Sequence, residues 1–125
     1  MKSQISLEFS IILAAVILLS VTLISVAFIK VSAIKTQDNF QKMHILKDNI
    51  ENEIQLARNS HYGYIRRFYL PSTIDSKNYN ITTYDDFIVI SYEGITGEFP
   101  VGKINGTIQK GLNKITNKNG EIIIN

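Results

Sequence analysis

Glu8 stands one residue before Phe9, and Phe9 opens a run of 21 residues, through Ile29, with no ionisable side chain. An ionised carboxylate costs ~2.5–3.5 kcal/mol at the centre of a membrane helix and less near its end. Glu8 therefore needs either a route to interfacial water or a partner that supplies positive charge.

Other side chains capable of chemistry are sparse. His44 and His61 have no Asp, Glu or Ser at a spacing that would build a relay, so both are expected to be packing or surface residues. Asp85-Asp86 has the look of an acid–base pair, but it falls between two strand-like runs, where paired Asp residues make turns. The segment from His61 to Tyr69 mixes Arg66 and Arg67 with aromatic residues, as single-strand nucleic-acid binders do. The charge balance argues instead for a strand that turns Tyr64, Phe68 and Leu70 toward a core. Cysteine is absent, which excludes disulfides, thiolate metal sites and Cys nucleophiles together. No enzyme activity, cofactor or metal is expected.

With 125 residues the length prior is one domain, and the apolar run leaves about 95 for anything soluble. Residues 30–125 hold twelve Lys/Arg against ten Asp/Glu, so no specific nucleic-acid or acidic partner is expected. The apolar run spans ~31 Å as a helix, matching a hydrocarbon core of ~30 Å. A cleaved signal peptide has a shorter apolar stretch. Val31-Ser32-Ala33 would suit such a cut, but Lys30 interrupts the approach to it. Counting Lys30, Lys35 and Lys42 against Lys2 would place the C-terminal part inside the cell, although long domains cross membranes largely regardless of charge.

Neither Pro nor Gly occurs before Gly63, so one helix is predicted from about Ile5 to about Ser60. Its second half is amphipathic: Met43, Leu46, Ile50, Ile54 and Ala57 form one stripe, with Lys42, Lys47, Asp48, Glu51 and Arg58 elsewhere. From Gly63 the vocabulary changes to short β-branched and aromatic runs between turn residues. Strands are predicted at 64–70, 79–84, 87–92 and 98–101, the last an edge because of Pro100. Asn119-Gly120 predicts a type I′ hairpin between 112–116 and 121–124, and Asn105-Gly106 is a second hairpin candidate. Gly94 and Gly97 are expected to bracket a turn. Apolar residues on both sides of 87–92 suggest one face against a second sheet and the other against the helix. Asn80-Ile81-Thr82 and Asn105-Gly106-Thr107 are N-glycosylation sequons, whose use at Asn80 or Asn105 would place this half outside the cell.

Gln4-Ile5-Ser6-Leu7-Glu8-Phe9 resembles the Q-x-S-x-E-F start of archaeal type IV pilin-like proteins with class III signal peptides. The uninterrupted apolar helix and the later short strands are similar to that family in architecture. The resemblance implies an α+β fold: a long N-terminal helix, membrane-spanning then amphipathic, packed on a small antiparallel β-sheet or β-sandwich domain. It implies a leader at 1–3, a helix at 4–61 and an extracellular β domain at 62–125. A prepilin peptidase would cut between Ser3 and Gln4, making Glu8 the fifth residue of the mature chain and Gln4 the bearer of a new α-amino group. That amine of one subunit would pair with Glu8 of a neighbour. Phe9, Ile12, Leu13, Val16, Leu19 and Leu23 would line a filament core.

The implied partners are copies of the same chain, the peptidase, an assembly ATPase and a platform membrane protein. The implied course runs from membrane precursor, N-terminus in the cytoplasm, to a surface filament used in adhesion. A minor pilin or a membrane-anchored accessory or binding module is the alternative. The leader Met1-Lys2-Ser3 is short for the family, and Ser3 stands where Gly is common.

Overall fold

A computed structural model describes residues 1–125, the side chain of Lys2 excepted. Helix α1 runs Lys2–Arg58. Eight strands follow: β1 Ile65–Leu70, β2 Thr73–Ile74, β3 Lys77–Thr83, β4 Phe87–Tyr92, β5 Ile95–Pro100, β6 Asn105–Gly106, β7 Gly111–Lys118 and β8 Glu121–Ile124. The protein is thus α+β, a long helix with a small, mainly antiparallel β domain. It divides into two compact units, Met1–Gln37 and Asp38–Asn125.

Within the second unit the amphipathic stripe is buried as predicted. Met43, Ile50, Ile54 and Ala57 are fully enclosed and Leu46 nearly so, in one cluster with Phe68, Leu70, Ile88, Ile90, Ile115, Ile122 and Ile124. Burying an Ile or Leu side chain stabilises by roughly 1.5–3 kcal/mol, so this stripe is the main attachment of the helix to the strands. Salt bridges flank it. Lys42 Nζ meets Asp38 at 2.7 Å and Asp75 of the β2–β3 turn at 2.6 Å. Arg66 meets Glu53 through Nη2 to Oε1 at 3.1 Å and through Nε to Oε2 at 2.8 Å, the second contact lying off the hydrogen-bond direction.

The strands form two four-stranded sheets, ordered β1-β7-β8-β6 and β2-β3-β4-β5. Asn119-Gly120 makes the expected β7–β8 turn, with φ of 54° and 90°. Asp85-Asp86 joins β3 to β4 as expected, and their carbonyls accept from the amides of Val101, Gly102 and Ile104. Pro100 lies on β5, an edge strand.

Three expectations are corrected and one hairpin is added. Asn105-Gly106 is not a hairpin: only Gly106 has positive φ, at 105°, whereas a type I′ turn needs it at both residues, and the pair instead bridges β8 in parallel. A Cβ on Gly106 would lie 1.9 Å from the Ile124 carbonyl oxygen, so only glycine permits that approach. The turn after β4 is Glu93-Gly94, with φ of 49° and 78°. Gly97 lies inside β5, its missing side chain replaced by the Phe99 ring, which packs over it. A further hairpin, β2–β3, turns through Asp75-Ser76 at φ of 46° and 62°. Finally, β4 buries one face only: Ile88, Ile90 and Tyr92 are enclosed, while Phe87, Val89 and Ser91 remain half-exposed.

Candidate functional site

In the unit Met1–Gln37 every described side chain is exposed. Phe9 is 64% exposed, Ile12 62%, Leu13 48%, Val16 53%, Leu19 61% and Leu23 68%. Monomeric soluble proteins rarely expose contiguous apolar surface of this extent. The segment is long and apolar enough to cross a bilayer.

The helix removes its own polarity. Ser10, Ser20, Ser25, Ser32 and Thr36 donate hydroxyl hydrogen bonds to the carbonyl four residues back, and Thr22 to the carbonyl three back, at 2.8–3.1 Å. Each hydroxyl is satisfied before the helix meets any apolar phase. Ala14, Ile17, Leu18, Val21 and Thr22 line a shallow, almost wholly apolar groove along this surface.

Glu8 is the exception. It is exposed, and among the described residues no cation lies within ion-pair distance of it. Gln4 lies four residues earlier on α1, one helical turn away on the same face. Ser3 is exposed, so the bond between Ser3 and Gln4 lies at the helix start.

The remaining candidates separate from this site. His44 packs between Phe40 and Phe99, with ring centroids 4.8 and 5.2 Å away, while His61 is exposed just past the helix end. Arg66 is committed to Glu53, and Tyr64, Phe68 and Leu70 face the core as expected. Asn80 and Asn105 are both exposed, and Asn105 Nδ2 donates to Glu121 Oε1 at 3.2 Å. The Lys42 ammonium is held well above its ordinary pKa by hydrogen bonds to Asp38 and Asp75, and Glu51 and Asp48 raise Lys47 in the same way.

Two residues were not singled out from sequence. Asn117 is buried on β7, and Gly102 sits against the Arg58 guanidinium, which donates to the Lys103 carbonyl at 3.0 Å. Asn117 alternates with Ile115 and Asn113 in a period of two. That spacing marked it as core-facing despite its polarity.

Comparison with family models, with curated proteins and with solved structures finds no match.

Proposed function

We propose that this chain is a structural subunit of a type IV pilin-like surface filament, on an archaeal cell as the Q-x-S-x-E-F resemblance implies. The observation that carries the reading is the contrast between the two units. Asp38–Asn125 closes a core of its own, whereas Met1–Gln37 keeps its apolar side chains exposed with Glu8 at their rim. Surface of that kind is stable in lipid or against copies of itself.

In this reading a membrane peptidase cuts between Ser3 and Gln4 while the chain is anchored with its N-terminus in the cytoplasm and its β domain outside. An assembly ATPase and a platform membrane protein then draw the helix out, and Phe9, Ile12, Leu13, Val16, Leu19 and Leu23 are reburied in a helical bundle. The Gln4 amine of one subunit meets Glu8 of another and sets the stagger. Contacts that repeat without closing give an open filament, which the cell displays for adhesion. Asn80 and Asn105 are the glycan acceptors on the exported domain.

Replacing Glu8 by Ala tests this. The variant is expected to insert and be cleaved normally, while filaments sheared from the cell surface fall at least ten-fold. Removing one member of a buried ion pair costs ~3–5 kcal/mol per contact, and the loss recurs at every subunit. Wild-type filament yield from Glu8→Ala would remove the charge pair from the account.

A further inference from the structure

The two sheets present chemically opposite outer faces. On the first, the β1–β7 register sets Tyr69 opposite Leu112 and Arg67 opposite Lys114. Tyr69 and Leu112 are 68% and 59% exposed, and neither Arg67 nor Lys114 has a carboxylate at ion-pair distance among the described residues. Like charges directly opposite each other on neighbouring strands repel, so this pair weakens the isolated domain.

The other face, on β3-β4-β5, carries the complement. Its end is apolar, where the rings of Tyr84 and Phe87 stack at 4.5 Å and Phe87 lies opposite Pro100. Beside them stand Glu98, opposite Val89, and Asp86 in the turn, both without a cation at ion-pair distance among the described residues. The far end of the same face is polar: Ser91 and Thr96 are hydrogen-bonded at 3.0 Å and Asn80 lies opposite Ser91. A glycan on Asn80 would therefore leave the apolar, acidic end open.

We propose that the Arg67/Lys114 face of one copy docks on the Tyr84/Phe87/Glu98 face of the next, so that β domains join head to tail. This deepens the filament reading and rests on it for its setting. The occupant is a second copy because the missing charge and the missing apolar cover are both supplied by the same chain. The two faces differ, so the contact is heterologous and propagates instead of closing into a dimer.

The chain has no cysteine, so engineered thiols report cleanly. Leu112→Cys, Pro100→Cys and the double variant, each expressed as the full chain in place of wild type, are treated on cells with a short bis-maleimide. A ladder of multimers from the double variant, with neither single variant cross-linking, is expected. Arg67→Glu with Lys114→Glu in that background is expected to cut the ladder at least ten-fold, and adding Asp86→Lys with Glu98→Lys to restore it to within about two-fold.

Dimers from one single variant overturn the proposal in favour of a symmetric contact. Cross-linking of Leu112→Cys to a different protein overturns it in favour of another occupant. Filaments without a ladder overturn it and leave the filament reading standing, whereas a membrane ladder without filaments supports it and removes that reading.

Discussion

Asn117 Nδ2 donates to the Ala57 carbonyl at 2.9 Å and to the Ser60 carbonyl at 3.2 Å, fastening the end of α1 to the C-terminal end of β7, 60 positions of sequence from Ala57. Its Oδ1 accepts from the Gly120 amide at 2.9 Å, so one buried side chain joins the helix terminus to the β7–β8 turn. Carbonyls at a helix end lack partners within the helix, and Asn117 supplies one where water is excluded.

Asn117→Ala strands these groups and is expected to destabilise the domain by about 1–3 kcal/mol. All six Tyr lie beyond residue 61, so near-ultraviolet circular dichroism of the detergent-solubilised chain reports this domain selectively. A fall in Tm of roughly 4–8 °C per kcal/mol is expected there, and an unchanged Tm would dismiss the fastening.

The stripe gives a contrast between neighbours. Ile50 is fully buried and Ile45, on the same helix, is 62% exposed. Ile50→Ala should cost about 2–5 kcal/mol and Ile45→Ala within about 0.5 kcal/mol, read by the same melting transition. Equal losses would mean that the helix sits in a different rotation.

Glycine positions separate conformational from steric demand. Gly94→Ala meets only its φ of +78°, with open space around it, whereas Gly106→Ala combines φ of +105° with the Ile124 carbonyl. The first is expected to cost roughly 1 kcal/mol and the second more than 2 kcal/mol. Measured melting in which Gly94→Ala is the more damaging would contradict the β6–β8 bridge.

The helix, its buried stripe, the Asn119-Gly120 turn and the edge position of Pro100 were legible in the sequence because each rests on a local cause: absence of breakers, a helical period, a turn dipeptide and a missing amide. Asn105-Gly106 carried the same local signal as Asn119-Gly120 but was overruled by non-local pairing with β8, which no short window contains. Asp75-Ser76 escaped because neither residue is Gly, and the Lys42–Asp75 ion pair that spans helix and turn depends on the fold. At the candidate site, Glu8, Gln4 and the apolar run could be read directly. The opposition of Arg67 to Lys114 could not, since it exists only once β1 and β7 are in register.

Alkaline pH should weaken the domain through Tyr79. Burial raises its phenol above the ordinary value of 10.0, with a smaller contribution from Tyr69, and its hydroxyl donates to the Pro71 carbonyl at 2.5 Å. The folded state thus holds a proton that the unfolded chain releases near pH 10. The stabilisation is complete below that pH and is lost as pH rises through the folded-state value. Tyr79→Phe should flatten the part of the alkaline decline that tracks tyrosinate absorbance. An identical decline in wild type and variant would assign it to the lysine ion pairs instead.

In the proposed filament Glu8 meets an amine created by cleavage before Gln4. Intact-mass analysis of the chain in filaments sheared from native cells tests it most directly. A chain beginning at Gln4 is expected, with any added mass placed by peptide mapping at Asn80 or Asn105. A chain beginning at Met1 and confined to the membrane fraction would contradict it, leaving a simple anchor, and a soluble chain beginning at Ile34 would make the apolar run an ordinary signal peptide.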